Sequence, residues 1–310
     1  MAQEDRAADP LRSGGAADPQ RRLLARPGVS ERGPRKPVGP GRDSPWAGRP
    51  RRVAQEGAPE TPPARGQAAE QRLYGLNAVL AMFRHRPQAL RKLYLLESRM
   101  PELKPLLAWC VQHRLGYRVV ESGDLDRLAG SQHHEGVVAD VLKLEPMRLS
   151  DWLHALPSAA PALAIWLDGV GNPHNFGAIL RSAAHFGVAG LLLPRDAALA
   201  LSGAAARVAE GGAEQVPLVR LGQTDNALAQ LRGAGFRLAA TVVRDGEDLF
   251  AAELPHRLVY VMGAEGEGMD AALAAHCEQR LSIPGSGAVE SLNVAAATAV
   301  LLAEWKRRQP

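Results

Sequence analysis

Five apolar runs punctuate the second half of the chain: ALAIWLD at 162–168, GLLLP at 190–194, VPLVRL at 216–221, FRLAATVV at 236–243 and RLVYVMG at 257–263. Each is short for a core helix and lacks the polar alternation of a half-exposed strand, so each predicts a strand buried on both faces. Helical stretches separate them. This alternation predicts an α/β domain on a mainly parallel sheet, whose ligands sit beyond the C-terminal ends of the strands.

Upstream, LYGLNAVLAMF at 73–83 predicts a helix, KLYLL at 92–96 a strand and LKPLLAWCVQHR at 103–114 a second helix. GYRVV at 116–120, a short helix over 123–128 and GVVADV at 136–141 complete a small α/β unit, and about 75 residues suffice for one compact domain. The three prolines of 146–161 read as a linker. The expected organisation is therefore a tail over 1–70, a small domain over 71–145, that linker, and a larger domain over 162–310.

Composition changes the picture only at the N-terminus. Residues 1–70 hold 11 of the 23 prolines and 9 of the 31 glycines, with few large apolar residues, which is the composition of a disordered tail. They also hold 13 Lys/Arg against 9 Asp/Glu, the whole net charge of +4, leaving 24 of each sign in residues 71–310. The folded part thus has no broad positive field, and any RNA contact there must use local patches. The tail's Arg21–Arg22, Arg35–Lys36 and Arg49–Arg52 clusters are either loose phosphate holders or a solvated linker. Its interspersed acids argue against an organelle transit peptide.

Cys110 and Cys277 stand far apart, with no CxxC or Cys/His cluster, so neither a disulfide framework nor a structural zinc site is expected. His133 and His134 lack a third ligand at a useful spacing and read as loop residues, so no metal is expected. No apolar stretch approaches the roughly 20 residues that span a bilayer, and MAQEDRAADP lacks the order of a signal peptide. A soluble, cytoplasmic protein is the expectation.

Three polar or glycine-rich loops follow apolar strands and precede helices. In the first, LDGVGNPHNFGAILRSAAHFGV at 167–188, Gly169, Gly171 and Pro173 form a tight turn, and Arg181 lies about a turn and a half beyond Asn175 on the helix. As a nucleotide-phosphate loop it fits neither GxGxxG nor a P-loop. The second, VYVMGAEGEGM at 259–269, offers Gly263, Gly266 and Gly268 for close backbone approach, with Glu265 among them. By itself it serves equally as a flexible turn with a solvated acid. The third, LSIPGSGAVESLNVAAATAVLLAEW at 281–305, leads through Glu290, Ser291 and Asn293 into an apolar helix. Ser291 fits as its N-cap, and Asn293 is expected to be buried in its first turn with partners that a ligand supplies.

Taken in order, N-x-G-A-I-x-R (175–181), G-A-E-G-x-G (263–268) and I-P-x-x-x-x-x-E-S-L-N-V-A (283–295) resemble the three motifs of the SpoU/TrmH ribose methyltransferases of the SPOUT superfamily. The match spans 162–305. LYGLNAV (73–79) and HHEGVVA (133–139) resemble the ribosomal-protein-like RNA-binding domain of some members. The resemblance implies a parallel sheet whose C-terminal segment threads a trefoil knot, a departure from the usual rarity of knots. It implies S-adenosylmethionine as cofactor, held by Gly263, Ala264, Glu265, Gly266, Gly268, Ile283, Pro284, Leu292 and Asn293. It also implies a homodimer that completes the active site across its interface.

Methyl transfer needs the 2′-oxygen in line with the sulfonium methyl, so much of the catalysis is positioning. The resemblance places Arg181 in the catalytic role, with Asn175, Glu265, Ser291 and Asn293 around it. A guanidinium stays protonated, so Arg181 would act electrostatically on a phosphate and the developing alkoxide. The implied substrate is RNA, ribosomal ahead of transfer RNA. Three alternatives remain on sequence grounds: a dinucleotide oxidoreductase, for which GxGxxG is missing; a non-catalytic RNA-binding relative, against which the motif polar residues are all present; and base methylation, against which the arginine-bearing first motif argues.

Overall fold

The computed structural model describes residues 69–158, 160–264, 266 and 268–309. All but the last two residues of the expected tail lie outside the described residues.

The small layer contains β1 (Glu70–Tyr74), α1 (Leu76–His85), β2 (Leu90–Leu95), α2 (Lys104–Gln112), β3 (Gly116–Val119), α3 (Ser122–Ala129) and β4 (Val137–Leu142). Its sheet order is β1-β4-β2-β3, with β4 antiparallel to both neighbours and β2 parallel to β3. The helix expected over 73–83 begins later. Leu73 and Tyr74 end a strand that pairs with Ala139 and Val138, and Gly75 at φ +94° turns the chain before the helix starts. Two apolar residues carry no readable period, and pairing with the distant β4 decides their state.

The large layer contains β5 (Met147–Arg148), α4 (Leu149–Ala155), β6 (Ala162–Leu167), α5 (Pro173–Phe186), β7 (Gly190–Leu193), α6 (Gly203–Val208), β8 (Leu218–Arg220) and α7 (Thr224–Gly233). It continues through β9 (Arg237–Thr241), β10 (Glu247–Asp248), β11 (Arg257–Met262), α8 (Ala271–Ala275), β12 (Gln279–Ser282) and α9 (Val294–Arg308). The sheet order is β10-β12-β9-β11-β6-β7-β8-β5, and every pairing in it is parallel.

Alternate residues of the central strands feed two cores. Leu163, Ile165, Leu191, Leu258 and Tyr260 face α5, α6 and α9, whereas Ala164, Trp166, Leu192, Val259 and Val261 face α4, α7 and α8. Helices on both faces explain why the strands read as unbroken apolar runs. Residues 146–161 are no free linker. They supply β5, which pairs with β8, and α4, whose Trp152 is buried with its indole N–H donating to the Ala189 carbonyl at 2.8 Å. Prolines at the ends of this segment suggest a linker, but the apolar Leu149 and Trp152 between them bind it to the sheet.

Polar contacts join the two layers. Arg86, just after α1, makes a two-pronged ion pair with Glu214 at 2.8 and 2.9 Å and donates to the Leu142 carbonyl, with 13% and 5% of the two side chains exposed. Glu135 accepts the Leu76 N–H at the start of α1 and pairs with Arg207 of α6 at 3.2 Å. His134 lies beside it, buried, its ring accepting from Gly136 N–H and bonding Asp126 on the other side. Among the described residues no group of three His, Cys, Asp or Glu is arranged to hold a metal, and no helix is long and apolar enough to cross a membrane.

The last turn of α9 is locked to the large layer by charge. The buried Glu304 carboxylate takes Arg307 through two bonds at 2.8 Å and Arg308 at 2.6 Å, and Arg308 donates to the carbonyls of Leu249, Phe250 and Ala252. The hydrogen bonds from Arg307, and then from Arg308, hold the Glu304 carboxyl at a pKa of about 2 against its burial.

Two outcomes follow from this packing. Trp152→Ala should lower the free energy of unfolding by about 3–5 kcal/mol in urea titration, the range of a large core truncation and far above that of a linker residue. Because the Glu304 pKa is depressed on folding, its contribution is complete above the ordinary value near 4.5 and is lost as pH falls from there towards 2. The thermal midpoint of the parent protein should therefore fall more steeply across that window than that of Glu304→Gln, measured by circular dichroism.

Candidate active site

Parallel strands deliver their following loops to one edge, and three of these loops close on a cavity of about 300 Å³. Thr241, Val242 and Val243 come from the end of β9; Met262, Gly263, Ala264, Gly266, Gly268 and Met269 from the end of β11 and its loop; Leu281, Ile283, Glu290, Ser291 and Leu292 from β12 and beyond; Val294, Ala297 and Leu301 from α9. Most of the wall is aliphatic side chain or bare backbone. Glu290 and Ser291 give it a polar side, and Thr241 turns its hydroxyl away to the Val261 carbonyl at 2.8 Å.

The loop after β11 folds back on itself. Ala264 and Gly268 exchange backbone hydrogen bonds at 2.8 and 3.0 Å, which brings the next segment against Gly263. A Cβ on Gly263 would lie 2.5 Å from the Gly268 carbonyl carbon, so only glycine permits this crossing, and Gly266 and Gly268 take positive φ. The loop after β6 abuts it: Asp168 accepts the Asp270 N–H at 2.9 Å, and Gly169 faces Ala264.

α5 begins two residues before its motif. Pro173 occupies the first turn, where its missing N–H costs nothing, and the Asn172 side chain caps the helix by accepting from His174 and Asn175 N–H. On α9 the expected N-cap is corrected. Asn293, not Ser291, takes that place, accepting from Ala295 and Ala296 N–H, and it is exposed rather than buried. A cap side chain must stand beside the helix end to reach the N–H groups, which keeps this amide out of the core. Its NH2 donates to Asn175 Oδ1 at 3.0 Å, so the first and third motifs touch.

Of the residues expected around a cofactor, Gly263, Ala264, Gly266, Gly268, Ile283 and Leu292 line the cavity, as does Ser291. Pro284 and Asn293 do not line it, and Glu265 lies outside the described residues. Arg181 is not at the cavity either. It is exposed on α5 and lines a separate depression. Sequence reasoning missed the wall built by 241–243 and by Ala297 and Leu301. The first could have been found from the strand-end rule applied to β9, the second from the i, i+3, i+7 spacing of Val294, Ala297 and Leu301.

Residues 162–303 match the model of the SpoU rRNA Methylase family, and residues 72–147 match that for RNA 2′-O ribose methyltransferase substrate binding. The chain is 39% identical over 244 residues to the uncharacterized tRNA/rRNA methyltransferase YfiF of Escherichia coli O157:H7, covering 79% of this chain and 70% of that one. It is 35% identical over 241 residues to the 23S rRNA (guanosine-2′-O-)-methyltransferase RlmB of Haemophilus influenzae, covering 77% of this chain and 98% of the relative. This chain belongs to the SpoU family. Among solved structures it resembles the AdoMet-bound rRNA methyltransferase from Sinorhizobium meliloti, with a TM-score of 0.64, 24% identity and coverage of 77% and 87%. The SpoU methyltransferase AviRb from Streptomyces viridochromogenes, in complex with AdoMet, gives 0.64, 24%, and 77% and 90%. These two likenesses bear on the fold.

Within this SpoU-family fold, Asn293→Ala should cost about 1 kcal/mol of stability through loss of the α9 cap, whereas Asn293→Asp keeps the accepting oxygen and should lose far less. Urea unfolding of the two variants reads the difference.

Proposed function

We propose that this chain transfers the methyl group of S-adenosylmethionine to a ribose 2′-hydroxyl of ribosomal RNA. The observation that carries the reading is the cavity at the strand ends, walled by the backbone of the second motif and the aliphatic side chains of the third. Its size is at the lower end of small-molecule pockets. The residues present fit the cofactor. The glycine crossing at Gly263 brings main chain to the cavity wall, and Ile283, Leu292 and Leu301 offer apolar contact to a purine. Ala264, Gly266 and Gly268 would complete the cradle, and the family motifs assign Glu265, Pro284 and Asn293 to the same cofactor. When bound, S-adenosylmethionine supplies an electrophilic methyl on a sulfonium.

The chain's own part is positioning and charge. The Arg181 guanidinium would grip a phosphate beside the target ribose and stabilise negative charge on the 2′-oxygen as it reacts. Asn175, whose carbonyl is taken by Asn293, keeps its NH2 as a donor for the sugar or phosphate. Ser291 would hold the loop at the cavity mouth.

Two further features support a homodimer. Arg181 stands in a depression apart from the cavity, and Val289 and Leu292 remain 71% and 47% exposed on the loop that forms the mouth. A second copy would cover these apolar residues and bring its own Arg181 to the site. The strand order supports the trefoil knot. β11 and β12 lie on opposite sides of β9, and α9 packs on α5, an order compatible with a C-terminal segment threaded back past strands already laid down. The reading divides the chain into a substrate-binding layer over 71–145 and a catalytic layer over 162–310. Ribosomal RNA is favoured by the 23S rRNA activity named for the RlmB relatives.

Incubation with methyl-labelled S-adenosylmethionine and total RNA from cells lacking this gene, followed by alkaline hydrolysis, tests the reading. Label should appear in alkali-resistant dinucleotides from ribosomal RNA and fall by about 10²–10³-fold with Arg181→Ala, the scale for loss of one transition-state donor. Label in ordinary mononucleotides, or in no RNA fraction, would sink it.

A further inference from the structure

A second depression of about 450 Å³ lies between α1 and α5. Arg84 comes from the small layer, Arg181 and His185 from successive turns of α5, and the loop after α6 forms the floor. Arg84 and Arg181 are exposed, and neither guanidinium has a hydrogen bond or ion pair with any described residue. The carboxylate that shares the lining, Glu210, accepts from the Asn77 side-chain amide at 2.5 Å and forms an ion pair with neither arginine. Two cations thus share one concave surface whose carboxylate is engaged by an amide and by neither of them. An anion held there would meet both, and guanidinium forks match phosphate oxygens.

The helices that carry the two arginines are seated on backbone. A Cβ on Gly211 would lie 2.8 Å from Ala81 of α1, and one on Gly212 would lie 2.8 Å from the Leu180 carbonyl oxygen and 3.2 Å from Arg181 Cα. α1 therefore rests directly on Gly211 and α5 on the adjacent Gly212. The Arg86–Glu214 pair fastens that loop to the end of α1. Such a rigid floor lets the pair act as a preformed site rather than as two mobile surface charges.

We propose that this depression is an RNA phosphate subsite, in which Arg84 and Arg181 grip the sugar-phosphate backbone of one substrate strand. The small layer and the helix bearing Arg181 would then hold the same strand at a fixed separation. The inference rests on the RNA methyltransferase reading for its ligand. Arg84 is a positioning residue here and does not line the methyl-transfer cavity of its own chain.

The test uses the full chain, an in-vitro transcript of 23S ribosomal RNA, and the variants Arg84→Ala, Arg84→Glu and Arg84→Lys. Anisotropy titrations across a salt series should show RNA binding weakened roughly tenfold by Arg84→Ala and more by Arg84→Glu, with partial recovery in Arg84→Lys. The slope of log affinity against log salt should fall by about 0.7–0.9, one phosphate contact. Calorimetric affinity for S-adenosylmethionine and the thermal midpoint should stay at parental values, which separates a lost RNA contact from a damaged fold. Parental affinity and salt slope in all three variants would overturn the proposal. So would an Arg84→Glu protein that shifts the monomer–dimer balance in sedimentation while binding RNA normally, since the guanidiniums would then face protein. If the parent transfers no methyl but the slope still falls in the variants, the methyltransferase reading fails and the phosphate subsite stands.

Discussion

Every strand of the large sheet points the same way, and the placement of the site depends on that constraint. Loops separated by dozens of residues emerge at one edge, so Thr241, Gly263 and Ser291 become neighbours without any sequence proximity. Parallel strands also need a crossover for each pairing, which puts helices on both faces and buries the sheet in two separate cores. A dry, doubly covered sheet leaves its strand ends as the accessible place where backbone polar groups can meet a ligand. The self-paired loop from Gly263 to Gly268 exploits this: its main chain, rather than its side chains, forms much of the wall.

The parts legible in the sequence were those with a one-dimensional signature. Unbroken apolar runs at 162–168 and 257–263 became β6 and β11 nearly residue for residue, and of the second motif's glycines Gly263 lies where backbone crosses closely while Gly266 and Gly268 take positive φ. What escaped was decided by partners far along the chain. Leu73 and Tyr74 are a strand because β4 is there to pair with them. The segment around Trp152 belongs to the sheet because Gly190 leaves room for the indole beside it, and a Cβ there would lie 2.7 Å from the ring nitrogen. Asn293 and Ser291 are both good caps by type, and their order was settled by where the helix axis begins. Likewise nothing local to Arg84 marks it, since its significance comes from standing across a loop from Arg181.

Charge is distributed with similar economy. Residues 71–310 are balanced in sign, and many of the arginines are committed: Arg86 to Glu214, Arg207 to Glu135, Arg232 to Glu278, and Arg307 and Arg308 to Glu304. Against that neutral background a small uncommitted cluster carries more information than a large basic patch would, because no diffuse field competes with it for a polyanion.

The Arg86–Glu214 pair has a consequence for how such proteins change over time. Two charges this far out of water must stay together, for losing one strands the other at a cost of about 3–5 kcal/mol. The small layer is therefore not a cassette that recombination could swap freely between catalytic cores. An incoming layer lacking an arginine at that position would leave the recipient's glutamate orphaned, so compatible exchanges are confined to donors that carry the matching half of the lock.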